Sequence, residues 1–115
     1  MIEKKMYING EWVESRSGEK RAILNPFDAS EIASVSEGNR EDTKLAIKAA
    51  REAFNGEWGT VAKNERKALL LKLAEFIKRD KEELARLESL NTGKTLEESR
   101  WDMDDIHNIF NEPIL

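Results

Sequence analysis

The sequence predicts an α+β chain in which short N-terminal β hairpins precede about four α-helices. Three observations carry this. Met6-Tyr7-Ile8 and Glu11-Trp12-Val13 flank Asn9-Gly10, a pair that tolerates positive φ and favours the two-residue type I′ hairpin turn. From Asn39 to Phe110 the apolar residues recur at the spacing of a helix face. Within that stretch, Asn, Asp or Thr followed three places on by Asp or Glu, and glycines after polar residues, mark where separate helices start and stop.

In order along the chain, strands are expected over 5–8 and 11–14, with Asn9-Gly10 as their turn. The polar run Ser15 to Lys20 turns the chain again. Ala22-Ile23-Leu24 reads as a third strand, stopped at Asn25-Pro26 because proline has no N–H to give to a ladder. After a turn at Phe27 to Ser30, Glu31-Ile32-Ala33-Ser34-Val35-Ser36 is the fourth strand. The first helix opens on a capping box of Asn39 with Asp42, carries Leu45, Ala46, Ala49, Ala50 and Ala53 to Phe54, and closes at Asn55-Gly56. A second, over 62–79, shows Leu70, Leu73, Ala74 and Ile77, widened by Leu69 and Phe76. Asp80 with Glu83 is the predicted capping box of a third helix bearing Leu84, Leu87 and Leu90, and Gly93 ends it. Thr95 with Glu98 caps a fourth, whose stripe is Leu96, Met103, Ile106 and Phe110, and Pro113 forbids its continuation. With no long Pro/Ser/Gly linker, a single domain is expected over 1–115: a β arm over 5–38, a helical part over 39–110 and a tail over 111–115.

Composition narrows the function. Residues are 39% hydrophobic and 37% charged, too apolar for disorder and suited to helices with charged outer faces. The net charge of −4 gives no general attraction for nucleic acid or anionic lipid, and residues 95–115 concentrate six acids against the single base Arg100. Absence of cysteine excludes disulfides, thiolate metal sites and a thiol nucleophile. No apolar run reaches the length of a membrane span and the first residues form no signal-peptide core, so a cytoplasmic protein is expected.

Gly93-Lys94-Thr95 has the ending of a phosphate-binding P-loop. That loop needs a second glycine five residues before the first of these, and Glu88 stands there, a carboxylate that repels phosphate. The segment is better explained as a helix stop followed by a helix cap. His107 is the sole histidine; alone it makes neither a metal site nor a base with its orienting partner, although Asp104 lies one turn away. Asp102, Asp104 and Asp105 fan around a helix and do not converge. Trp12, Trp58 and Trp101 are scattered far from any basic cluster, which favours core or interface packing over base stacking.

Taken together, Tyr7-Ile8-Asn9-Gly10-Glu11-Trp12-Val13, Leu24-Asn25-Pro26, Glu31-Ile32-Ala33-Ser34-Val35, Ala49-Ala50-Arg51-Glu52-Ala53-Phe54, Trp58, Glu65-Arg66 and Glu88-Ser89-Leu90-Asn91-Thr92-Gly93-Lys94 resemble the N-terminal region of the NAD-dependent aldehyde dehydrogenases. Asp102-Met103-Asp104-Asp105-Ile106 is most similar to the betaine-aldehyde branch. The resemblance covers residues 6–110 and implies an incomplete piece of a Rossmann-type NAD-binding domain. It implies oxidation of an aldehyde to a carboxylate with NAD as hydride acceptor, by a nucleophilic cysteine, a glutamate base and an NAD site that lie beyond these residues in the family. No catalytic or cofactor-binding residue is therefore expected in this chain. Some relatives hold a monovalent cation through backbone oxygens, and the match carries this onto Ile23 and Asn91. Family members continue the last helix where Asn111-Glu112-Pro113-Ile114-Leu115 breaks it, the expectation being a truncated segment, inactive alone. Its uncovered apolar helix faces and β arm would drive homo-oligomer formation. A helical protein-interaction module, or a regulatory fragment that joins full-length subunits, is the alternative.

Overall fold

A computed structural model describes residues 2–112. The chain forms two compact units, one ending at Thr60 and the other beginning at Val61. This boundary falls inside the helical stretch, so the first helix belongs with the strands.

The first unit holds β1 (Ile2–Lys4), β2 (Met6–Ile8), β3 (Glu11–Val13), β4 (Lys20–Leu24), β5 (Glu31–Ser36), α1 (Arg40–Asn55) and α2 (Glu57–Thr60). The hairpin forms as its turn predicts: Met6 faces Val13, Tyr7 faces Trp12 and Ile8 faces Glu11, with φ of 54° at Asn9 and 80° at Gly10. The rings of Tyr7 and Trp12 lie 5.0 Å apart, a cross-strand aromatic pair. The other sheet has the order β1-β5-β4, with β4 antiparallel and β1 parallel to β5. β1 was not predicted. Ile2-Glu3-Lys4 shows no alternation, and its pairing with Ala33, Ser34 and Val35 is a long-range contact that local pattern cannot reveal.

The capping box of α1 is complete: Asn39 Oδ1 accepts from the Asp42 N–H and Asp42 Oδ2 from the Asn39 N–H, both at 3.0 Å. The helix stops at Gly56, in extended conformation. The four-residue α2 is a second unpredicted element. Gly59 lies so close to the end of α1 that a Cβ there would fall 2.1 Å from the Phe54 carbonyl oxygen, so this corner admits no side chain.

The second unit is three helices, α3 (Lys63–Arg79), α4 (Lys81–Thr92) and α5 (Leu96–Asn111). α5 packs on both of the others. The enclosed positions are held by small side chains: Ala74 of α3, Ala85 of α4 and Ser99 of α5 are fully enclosed, and Met103 of α5 is buried. The predicted leucine stripe contributes less than expected, because Leu84 is half-buried while Leu87 and Leu90 are exposed. Two ion pairs join α4 to α5. Arg100 forks onto the Glu82 carboxylate at 3.0 to 3.2 Å, which holds Glu82 below the usual carboxylate range, and Lys81 meets Asp104 at 2.8 Å.

One predicted cap is corrected. Asp80 separates α3 from α4, yet its side chain makes no capping bond. Its carboxylate accepts two bonds from the neighbouring Arg79 guanidinium, 2.8 and 2.7 Å, and its backbone (φ −99°, ψ 14°) lacks the extended shape that aims a cap side chain inward. Thr95 does cap α5, accepting from the Glu98 N–H at 3.2 Å while Glu98 reaches back to the Thr95 N–H at 3.4 Å.

Candidate functional site

The corner between α4 and α5 holds Gly93-Lys94-Thr95, and its geometry is that of a connection. Gly93 adopts φ 80° and donates to Ser89 O, the left-handed stop of a helix. The Ser89 hydroxyl donates to the Lys94 carbonyl at 2.8 Å, tying the corner back onto α4. Lys94 is the residue that would meet a phosphate. Its ammonium instead bonds Asp102 of α5 and pairs with Glu88 of α4 at 3.5 Å. The hydrogen bond that the ammonium donates to Asp102 is the largest cause raising its pKa, opposed by burial. A lysine enclosed by two carboxylates offers no net positive charge to an anion, so the geometry agrees with the exclusion of a P-loop.

Among the described residues His107 makes no hydrogen bond or ion pair with Asp104. Its Nδ1 lies 2.8 Å from the Ala74 carbonyl oxygen of α3, which only accepts, so Nδ1 carries the proton and the ring fastens α5 to α3. Asp102 and Asp104 are each committed to a lysine. Among the described residues no group of three or more His, Asp or Glu converges on a metal position. Trp12, Trp58 and Trp101 are all exposed, so core packing is not their role.

Ile23 sits in β4 opposite Ala33, beside an irregularity in register between Ile23 and Leu24. Asn91 lies in the last turn of α4, exposed. The two belong to different units.

In the first unit, sequence reasoning missed the partners of Asp42. Beyond its capping bond, this carboxylate accepts from the Ser15 hydroxyl at 2.7 Å and from the Arg16 N–H at 3.2 Å. Asp42 is 3% exposed and Ser15 6%. The Asn39 N–H is the largest cause holding its pKa below the ordinary value, followed by the Ser15 hydroxyl, against the opposing effect of burial. This node ties the loop after the hairpin to the start of α1, across 27 residues of sequence. The only sequence signal was the capping box itself. Beside it runs a groove of about 370 Å³ with Ile8, Val13, Leu45 and Ala49 among its lining and Lys48 and Glu52 at its edge. Lys48 and Glu52 pair at 3.7 Å.

An α+β chain with an N-terminal hairpin, a mixed sheet and helices is matched by the model of the Aldehyde dehydrogenase family over residues 12–113. The chain belongs to that family. It is 58% identical over 106 residues to betaine aldehyde dehydrogenase of Bacillus subtilis (strain 168), a match covering 91% of this chain and 22% of that protein. Identity to aldehyde dehydrogenase 1A1 of Homo sapiens is 47% over 92 residues, 78% of this chain and 18% of that one. A crystal structure of betaine aldehyde dehydrogenase from Staphylococcus aureus in complex with NAD+ superposes with a TM-score of 0.91 at 51% identity, over 94% of this chain and 22% of that chain. The fold is thus the N-terminal part of the aldehyde dehydrogenase fold, and the chain spans about a fifth of the length of the relatives it matches. Among the described residues no helix is long and apolar enough to cross a membrane.

Proposed function

We propose that this chain is the N-terminal segment of a betaine-aldehyde-dehydrogenase-type enzyme of the cytoplasm and that, by itself, it neither holds NAD nor oxidises aldehyde. The observation that carries this is high identity over nearly the whole chain with only 22% of the relative's length matched. The family reaction needs a thiolate to form the thiohemiacetal from which hydride leaves for NAD, and these 115 residues contain no cysteine. What the segment contributes is scaffold: the Asp42 node, the hairpin and the three-helix unit.

Association between copies, or with larger subunits, belongs to the same reading. Leu69, Trp101 and Ile109 are each more than half exposed. Apolar area is worth about 25 cal/mol per Å² when removed from water, so covering a few hundred Å² favours association by several kcal/mol before entropic costs.

Calorimetric titration with NAD and an absorbance assay with betaine aldehyde test the first claim. No binding heat and no reduced cofactor are expected; micromolar affinity or turnover overturns it. Light scattering behind size exclusion tests the second, with oligomers expected and weakened by Ile109→Asp. A concentration-independent monomer would refute it.

A further inference from the structure

The chain contains two Asn-Gly pairs, Asn9-Gly10 and Asn55-Gly56, and the structure makes them chemically unequal. Loss of the asparagine amide begins when the backbone nitrogen of the following residue attacks the side-chain Cγ. That step needs an N–H not committed elsewhere, no Cβ on the following residue, and room for a five-membered ring. At the hairpin tip all three conditions hold. Asn9 and Gly10 are exposed, the Gly10 N–H makes no backbone hydrogen bond among the described residues, and no described atom beyond the chain neighbours lies within 4 Å of the position a Gly10 Cβ would take.

At the end of α1 two of them fail. The Gly56 N–H donates to the Ala53 carbonyl at 3.3 Å, and the Gly56 carbonyl accepts from Gly59 at 3.1 Å, which locks the peptide into the corner with α2. The position of a Gly56 Cβ already lies 3.0 Å from the Glu52 carbonyl oxygen, so there is little space in which to rotate. Other asparagines are disfavoured more simply. Asn25 precedes proline, which has no N–H, and Asn64, Asn91 and Asn108 lie within helices before residues that bear side chains.

We propose that Asn9 is a site of spontaneous modification in the folded chain, converting through a succinimide to isoaspartate and aspartate, while Asn55 is protected by its helix-end corner. In the first step the Gly10 N–Asn9 Cγ bond forms, the Cγ–Nδ2 bond breaks, and ammonia leaves with the amide proton. Water then opens the ring. Opening at the main-chain carbonyl gives isoaspartate, whose backbone runs through Cβ, and opening at Cγ gives aspartate. No oxidation or reduction occurs. Isoaspartate adds a backbone atom to a turn whose two-residue length sets the pairing of Met6 with Val13, Tyr7 with Trp12 and Ile8 with Glu11. The modified hairpin therefore loses that register, and with it the contact of Tyr7 and Trp12.

The test is incubation of the whole chain at mildly alkaline pH and body temperature, with peptide mapping by mass spectrometry and isoaspartate labelling by protein isoaspartyl methyltransferase. The Asn9 peptide is expected to convert and accept methyl groups several-fold faster than the Asn55 peptide, and the difference is expected to vanish in concentrated urea, where both pairs are equally free. Asn9→Gln is expected to remove the fast phase of labelling while leaving the Asn55 rate unchanged. Conversion at Asn55 as fast as at Asn9 in the folded chain, an unchanged ratio in urea, or a folded chain inert at Asn9 while its unfolded form reacts would each overturn the proposal.

Discussion

Replacing Ser99 by alanine is expected to stabilise the three-helix unit. Ser99 is fully enclosed on the face of α5 that also carries Met103, and its Oγ is the buried side-chain polar atom left without a hydrogen-bond partner among the described residues. A hydroxyl removed from water with nothing to bond costs about 1–3 kcal/mol. Alanine abolishes that cost and gains about 0.5 kcal/mol of intrinsic helix preference. Against this stands the void left by one oxygen, on the order of 10 Å³, worth about 0.2 kcal/mol. The net is a gain of at least about 1 kcal/mol, read as a rise in urea midpoint of roughly 0.5–1 M for a chain of this size, followed by helical circular dichroism. Ser99→Val provides the opposing control: it also removes the hydroxyl but forces two methyl groups into a fully enclosed position, with an overpacking cost of about 1–3 kcal/mol. A lower midpoint for Ser99→Ala would refute the reasoning, since it would mean that the hydroxyl holds a partner in solution.

Thr95→Ala should destabilise α5 by about 0.5–2 kcal/mol through loss of its cap bond to Glu98, and Thr95→Ser should restore most of it; equal midpoints for alanine and wild type in denaturation would dismiss the cap. Ala29 adopts φ 58°, a left-handed conformation costing a residue with Cβ about 1–2 kcal/mol, partly offset by the backbone entropy of glycine, so Ala29→Gly should stabilise by up to about 1 kcal/mol. A drop in melting temperature would count against strain at that turn. Asp42 has a lowered folded pKa, so its contribution is complete above the ordinary carboxylate value, about pH 4, and is lost as pH falls through the lowered value. Asp42→Asn should therefore weaken the fold at neutral pH and flatten the stability loss below about pH 4; parallel acid-unfolding curves for the two proteins would exclude Asp42 from the acid response.

Local features were legible from sequence wherever neighbouring residues decide the conformation. The hairpin and its register follow from Asn9-Gly10, α1 from the reciprocal bonds of Asn39 and Asp42, and the break before α5 from Gly93 and Thr95, because each involves groups no more than a few residues apart. The same logic misled at Asp80, where spacing alone suggested a box while the adjacent Arg79 guanidinium competes for the carboxylate as a charged donor. Lys94 shows how far a local reading extends: the sequence excluded a phosphate loop, but the pairing with Asp102 and Glu88 depends on α5 folding back toward α4.

By itself, then, the sequence determined the α+β class, the helix boundaries set by caps, the absence of a thiol nucleophile and the likeness to aldehyde dehydrogenases, all properties of residue identity at short separation. Tertiary structure decided the rest: that β1 pairs in parallel with β5, that Ser15 and Arg16 converge on Asp42, that Ala74, Ala85 and Ser99 rather than the leucines are enclosed where the helices meet, and that one Asn-Gly pair is open while the other is locked. Each of these depends on which surfaces come into contact. Periodicity shows that a helix has an apolar face, but close approach of two backbones is governed by the smallest side chains at the crossing, and their enclosure exists only once the helices have met.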